Sequence, residues 1–392
     1  METITILGAT GSIGQNTLNV LSRHLDHFEV FALTAYHRVD ILLKQCAAFK
    51  PRYAVLHDKI QAVQFQKKLI QLKLKTKVLS GVEGLCEVAS HRLVKTVMAA
   101  IVGAAGLEPT LAAAKTGKKI LLANKEVLVM AGELFMKEVR KHHAQLLPVD
   151  SEHSAIFQSM PKNYVCGEKP RIVQKIILTA SGGPFRKLPL NKFFNITPSQ
   201  AIAHPNWKMG KKISVDSATM INKALEMIEA HFLFGVESQE IDVVIHPESI
   251  VHSCVQYVDG SVIAQMGNPD MRTPIAYALA YPERIVSGVN VLDLAKISAL
   301  HFEKVDHKRF AAVELAMDAL KKGGTAPAIL NAANEIAVEA FLNRRLDFLK
   351  ISDCVKHALK KIKITSANTL DEILKADCKA RECAEQFIVQ KG

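Results

Sequence analysis

Asp150 and Glu152 flank Ser151 directly after an apolar run, Leu146–Val149. In extended chain, side chains two residues apart point to one side. Two carboxylates so placed, joined by a third, suit a hard divalent cation such as Mg2+ or Mn2+. A helix N-cap Asp followed by an early Glu accounts for the same pair without any chemistry. Further along, Asn222, Lys223 and Glu226 share one face of a helix expected over Ala218–Phe234, beside an apolar stripe of Ile221, Leu225, Ile228 and Phe232. An amide, a cation and a carboxylate beside a buried stripe resemble the wall of a site. An i,i+3 ion pair on a solvated face is the plainer alternative. Glu229 lies on nearly the same face, so spacing leaves Glu226 and Glu229 both open as a third ligand.

A second constellation opens the chain. Gly8-Ala9-Thr10-Gly11-Ser12-Ile13-Gly14 follows a strand pattern, Thr3–Leu7, and leads into a helix pattern. Glycines in that context let backbone approach a pyrophosphate, whose charge then sits at the helix N-terminus. The spacing is GxxGxxG. About twenty residues on, where NAD-binding chains place an acid for the ribose, this chain has Ala35-Tyr36-His37-Arg38 and no acid before Asp40. Arg38, with His37 near it, suits a 2′-phosphate and tilts the expectation to NADP. A solvated basic turn is the alternative.

The third is a long segment, residues 181–212, rich in Pro, Gly, Asn and Lys. It begins with Ser181-Gly182-Gly183-Pro184 and ends with His204-Pro205-Asn206-Trp207-Lys208-Met209-Gly210-Lys211-Lys212. Segments of that kind inside a domain are usually lids or binding loops. Trp207, the single Trp of the chain, with Lys208, Lys211 and Lys212, suits a lid over a phosphorylated ligand.

The elements that must position these residues follow from periodicity. Over residues 1–150 short apolar runs (Thr3–Leu7, Val30–Thr34, Tyr53–Leu56, Lys77–Leu79, Val97–Val102, Ile120–Leu122, Leu146–Val149) alternate with helical stretches. This predicts an α/β, Rossmann-like, doubly wound parallel sheet as a dinucleotide-binding domain. Residues 151–281 are expected to form an α+β domain, with a helix over Ser154–Met160, a strand over Ile172–Leu178, and two strands joined by an Asp259-Gly260 turn. Residues 282–310 read as a linker and 311–392 as a C-terminal helical bundle, with helices over Ala311–Lys322, Ala326–Asn343, Ile351–Lys361 and Leu370–Val389.

Composition narrows the partners. The 392 residues are 49% hydrophobic and 22% charged, an ordinary globular balance. No apolar run approaches the ~20 residues of a membrane helix, and a strand pattern starts at Thr3, so a cytoplasmic protein without signal or transit peptide is expected. The seven cysteines include no CxxC pair, which predicts reduced thiols. A net charge of +12 favours anionic ligands. Basic residues are dispersed and aromatics are 6%, so small phosphorylated ligands fit better than nucleic acid. A nucleotide-sensing regulator that binds DNA would leave the carboxylates unexplained.

Together these segments resemble one family. Asp150-Ser151-Glu152, Ser181-Gly182-Gly183-Pro184-Phe185, His204-Pro205-Asn206-Trp207, and Val215-Asp216-Ser217-Ala218-Thr219-Met220 through Asn222-Lys223 and Glu226 are similar to 1-deoxy-D-xylulose 5-phosphate reductoisomerases. So are Leu122-Ala123-Asn124-Lys125-Glu126, His246-Pro247, and Gly267 to Pro274, in order along the whole chain. The resemblance implies NADPH- and divalent-metal-dependent isomerisation and reduction of that ketose phosphate to 2-C-methyl-D-erythritol 4-phosphate, in non-mevalonate isoprenoid biosynthesis, by a homodimer. It implies Asp150, Glu152 and Glu226 as metal ligands. Lys125 and Ser151 are implied substrate contacts, and Ser181, His204, Ser217, Asn222 and Lys223 the surroundings of the substrate phosphate. Thr10, Gly11, Ser12, Ile13, Asn124, Glu126 and Gly210 are implied NADPH contacts, joined by Arg38 from the residue reading. Lys125, Asp150, Glu152 and Glu226 would carry the chemistry. The family often has Gly-Lys-Asn or Ser-Lys-Asn where this chain has Tyr36-His37-Arg38. The competing reading is a metal-independent NADP-dependent dehydrogenase of a phosphorylated small molecule.

Overall fold

Strand β1 (Glu2–Leu7) buries Ile4, Ile6 and Leu7 completely, as a strand covered on both faces must. It is flanked in parallel by β2 (Phe28–Ala35) and by β5 (Thr96–Ala99), with Ile4 opposite both Val30 and Thr96. With β3 (Tyr53–Leu56), β4 (Lys77–Ser80), β6 (Lys119–Leu122) and β7 (Gln145–Pro148), they form a seven-stranded parallel sheet, ordered β4-β3-β2-β1-β5-β6-β7. Strand order reverses between β1 and β5, the crevice at which doubly wound sheets bind ligands. The expected α/β architecture and all seven strands are present. Strand β5 ends at Ala99, short of the expected Val102.

The structure is a computed structural model and describes residues 1–207 and 209–391, so Lys208 of the expected lid lies outside the described residues. The chain divides into two compact units. The first comprises Met1–Val127, Phe135–Ser154 and Asp270–Asn290; the second comprises Leu128–Leu134, Ala155–Pro269 and Val291–Gly392. In the first unit the helix Arg272–Ala280 packs on the helix Ser12–Leu21. Asp270 anchors it, taking Arg272 Nε at 3.0 Å and Nη2 at 2.6 Å.

The second unit contains a mixed sheet of β8 (Val173–Ala180), β9 (Ile241–Ile245), β10 (Val251–Tyr257), β11 (Val262–Met266) and β12 (Glu303–Lys304), ordered β11-β10-β8-β9-β12. The Asp259-Gly260 hairpin turn joins β10 to β11 as expected, Gly260 taking φ +86°. The same unit holds the helices Ala312–Lys322, Ala326–Leu342, Phe348–Lys361 and Leu370–Lys391. Ala332, Ala333, Ala337 and Ala340 are fully buried on the second of these, and small side chains there allow close helix packing.

Four local expectations are corrected. The helix after β7 runs Ser151–Ser159, so Asp150-Ser151-Glu152 is a helix start and not extended chain; the Asp150 carbonyl takes the Ser154 N–H at 2.8 Å. The helix expected over Ala218–Phe234 is two, Lys211–Ala218 and Ile221–Phe234, separated by Met220 in the left-handed region at φ +64°. The segment 181–212 contains the short helices Leu190–Asn195 and Pro198–Ala201, the latter closed by a Thr197/Gln200 capping box. The expected linker 282–310 contains the helix Leu294–Ile297 and β12, which completes the edge of the second sheet. A two-residue strand has no period of its own, and only its partner β9 reveals it.

Candidate active site

In the first unit the glycine turn is dictated by contact. Gly8 sits at φ +81°, and a Cβ there would lie 2.5 Å from the Ala100 carbonyl oxygen at the end of β5. A Cβ on Gly14 would meet Ala9 Cα at 2.5 Å, so that glycine lets the first helix close on the strand. Gly11 begins the helix Ser12–Leu21, whose first turn has no side-chain cap and no acidic residue. Its N–H groups and positive dipole end suit an anion. Arg38 Nη1 donates to the Thr10 carbonyl at 3.2 Å, which brings the guanidinium to this turn. Tyr36 is exposed and stacks on His57 at 4.5 Å between centroids, with His37 edge-on.

Asn124, Lys125 and Glu126, all buried, follow β6. Asn124 Nδ2 donates to the carbonyls of Ile101 and, at 3.1 Å, Gly103, which fixes the turn after β5. Lys125 Nζ lies 2.5 Å from Asp150 Oδ2. Burial would raise the Asp150 carboxyl, but the Lys125 ammonium, with His153 and hydrogen bonds from Lys125 and Glu152, holds it well below the usual carboxylate range. Ser151 Oγ donates to Glu152 Oε2 at 2.5 Å.

In the second unit the residues cluster around the break at Met220. The helix Ile221–Phe234 buries Lys223, Glu226 and Glu229 almost completely. Asn222 Nδ2 donates to Glu226 Oε1 at 2.5 Å, and Lys223 Nζ pairs with Glu226 Oε2. Gly183, at φ +65°, would place a Cβ 2.9 Å from the Ser217 carbonyl oxygen, so only glycine lets the Ser181 turn pack on the helix carrying Ser217. Ser181 Oγ is 2.9 Å from His204 Nε2. His204 Nδ1 accepts the backbone N–H groups of Asn206 and Trp207 at 3.2 and 3.0 Å, which makes Nε2 the protonated nitrogen that donates to Ser181. Burial lowers the His204 pKa to about 4.

The end of the long segment is docked. Asn206 Nδ2 donates to the Pro247 carbonyl at 2.6 Å and to Ser249 Oγ at 3.0 Å, and Trp207 lies against His252 with ring centroids 6.2 Å apart. The sequence reading gave His246 no role. Its buried ring takes the N–H groups of Ile250 and Val251 on Nε2 and bonds the His301 carbonyl through Nδ1, holding the turn on which Asn206 docks. Two His-Pro pairs, at 204–205 and 246–247, were the available signal. Gly210 is exposed at the start of the helix Lys211–Ala218.

A glycine turn at the switch point of a parallel sheet, with a basic side chain beside it, defines a dinucleotide-binding α/β protein. Comparison with known proteins gives the particular family. Models of 1-deoxy-D-xylulose 5-phosphate reductoisomerase match residues 4–132, 146–234 (its C-terminal domain) and 266–383 (DXP reductoisomerase C-terminal domain). The chain is 58% identical to the 1-deoxy-D-xylulose 5-phosphate reductoisomerase of Dechloromonas aromatica, covering 100% of this chain and 98% of that one. It is 54% identical to that of Pseudomonas aeruginosa, covering 99% and 98%. A crystal structure of DOX-P reductoisomerase in complex with NADPH, fosmidomycin and magnesium is similar at TM-score 0.95 and 46% identity, over 99% of this chain and 98% of that one. The Zymomonas mobilis enzyme in complex with NADPH gives TM-score 0.92 and 43% identity over the same shares. The chain belongs to the 1-deoxy-D-xylulose 5-phosphate reductoisomerase family.

Proposed function

We propose that this chain is an NADPH- and divalent-metal-dependent oxidoreductase. It isomerises and reduces 1-deoxy-D-xylulose 5-phosphate to 2-C-methyl-D-erythritol 4-phosphate, in non-mevalonate isoprenoid biosynthesis. The observation that carries this is the full-length likeness to a structure holding NADPH, fosmidomycin and magnesium.

Asp150, Glu152 and Glu226 would hold the cation: their all-oxygen donor set suits Mg2+ or Mn2+, and Asp150 is kept ionised by its neighbours. When bound, the cation supplies Lewis acidity toward the substrate's oxygens and NADPH supplies hydride. Lys125 offers an ammonium to oxygen charge that develops during rearrangement, and Ser151 orients the substrate. Ser181, Ser217, Asn222, Lys223 and His204 bind the phosphate, which competes with Glu226 for the donors of Asn222 and Lys223. Thr10, Gly11, Ser12 and Ile13 present backbone N–H groups to the pyrophosphate. Arg38 takes the 2′-phosphate, and Asn124, Glu126 and Gly210 complete the NADPH contacts.

Residues 1–150 act as the NADPH-binding domain, 151–281 as the catalytic and dimerisation domain with 181–212 as its lid, and 311–392 as the C-terminal helical domain. The homodimer is supported by edge strand β11, which leaves Val262, Ile263 and Met266 exposed. A reducing, cytoplasmic setting suits the free thiols of Cys46, Cys166, Cys254, Cys354 and Cys383, all buried. Among the described residues no helix is long and apolar enough to cross a membrane.

NADPH consumption with the ketose phosphate, with and without Mg2+, tests the function. Turnover that stops with EDTA and returns with Mg2+ is expected. Undiminished turnover in EDTA would instead favour the metal-independent dehydrogenase, which leaves the three carboxylates without a task.

A further inference from the structure

Asp216 stands one residue before Ser217 on the helix Lys211–Ala218 and is only 1% exposed. Its two oxygens have separate partners. Oδ1 accepts from Asn334 Nδ2 at 2.8 Å, and Oδ2 lies 2.9 Å from Lys212 Nζ, one turn earlier on the same helix. Asn334 is itself completely buried, midway along Ala326–Leu342 and close in sequence to the buried alanines Ala332, Ala333 and Ala337. Its Oδ1 has no hydrogen-bond partner among the described residues.

A buried amide with an unmet acceptor costs stability relative to an apolar side chain of similar size. Packing therefore gives no reason for Asn at this position. What the amide provides is a donor aimed at a carboxylate that adjoins a phosphate contact. A carboxylate on the residue before that contact opposes an incoming dianion unless its charge is compensated. Lys212 compensates that charge, and the Asn334 bond, which comes from another helix, fixes the helix that presents Ser217. The next residue, Glu335, accepts from Arg381 Nη2 of the last helix at 2.6 Å, so Ala326–Leu342 is itself held.

We propose that Asn334 is a positioning residue for the phosphate end of the site, acting through Asp216 on Ser217 and Lys212. This rests on the functional reading above, in which Ser217 meets the substrate phosphate. Asn331 provides a control: it is equally buried on the same helix, but its amide donates to Glu335, at 3.3 Å, and not to Asp216.

The test uses the full-length enzyme with saturating Mg2+. It measures KM for 1-deoxy-D-xylulose 5-phosphate, KM for NADPH and kcat for the wild type, Asn334→Asp, Asn331→Asp and the exchange Asp216→Asn/Asn334→Asp. Asn334→Asp sets two carboxylates against each other. It is expected to raise the substrate KM about tenfold while the NADPH KM stays within about twofold. The exchange restores one amide and one carboxylate and is expected to recover most of the loss. Asn331→Asp is expected to leave the substrate KM in place. Should Asn334→Asp fail to fold, Asn334→Ala replaces it, with the same rise expected. An active wild type whose folded Asn334 variants keep the substrate KM, or shift both KM values in parallel, overturns the positioning role alone. A wild type that does not consume NADPH with this substrate overturns the functional reading and the positioning role with it.

Discussion

Lys125 Nζ lies 2.5 Å from the Asp150 carboxylate, joining the turn after β6 to the start of the helix that follows β7. Burial opposes ionisation of Asp150, but the Lys125 ammonium, His153 and the hydrogen bonds from Lys125 and Glu152 together outweigh it. Lys125→Met removes that compensation and the ammonium proposed to act on the substrate. It is expected to lower kcat about a hundredfold or more in steady-state assays; a kcat within threefold of wild type would remove Lys125 from the chemistry.

Glu226 and Glu229 are both buried on one helix, and Asn222 and Lys223 each hydrogen-bond Glu226. Glu226→Gln is expected to cost about a thousandfold in turnover, as loss of a charged ligand should, while NADPH binding by fluorescence titration is unchanged. Full activity in Glu226→Gln together with inactive Glu229→Gln would transfer the ligand role to Glu229.

Arg38 touches the glycine turn through the Thr10 carbonyl. Removing it as Arg38→Leu is expected to raise the NADPH KM about tenfold or more, with little change for NADH. Equal losses for both cofactors would mean that Arg38 only braces the turn.

His204 makes its three hydrogen bonds as a neutral ring, and burial lowers its pKa from 6.5 to about 4. The folded chain therefore binds fewer protons here than the unfolded chain between those values. The contribution is present in full above pH 6.5 and is lost as pH falls through about 4. Trp207 fluorescence should report release of the segment near pH 4, with circular dichroism monitoring the fold. His252 beneath the indole is lowered to about 4 as well, also by burial, so His204→Gln identifies the source. A wild-type midpoint near 6.5 would contradict the bonded ring.

The parallel sheet was legible because strands buried on both faces are continuous apolar runs, as Ile120–Leu122 shows. Glycines of the first turn were legible as a set, although the reason for Gly8 is the Ala100 carbonyl, a contact 92 residues along the chain that no local pattern records. The break at Met220 was not legible, since methionine is an ordinary helix former and its left-handed backbone carries no local signal. Return of Arg272–Ala280 to the first unit depends on packing against Ser12–Leu21, and periodicity says nothing about a helix's partner. Asp216 and Asn334 are 118 residues apart and meet only in the folded chain.

As a member of the reductoisomerase family, this chain is expected to rearrange a carbon skeleton as well as reduce it. The most direct test of this is the carbon connectivity of the product, read by NMR from a reaction of 13C-labelled 1-deoxy-D-xylulose 5-phosphate with NADPH and Mg2+. A branched 2-C-methyl-D-erythritol 4-phosphate is expected. An unbranched, simply reduced sugar phosphate would rule out the rearrangement and leave a plain dehydrogenase in its place.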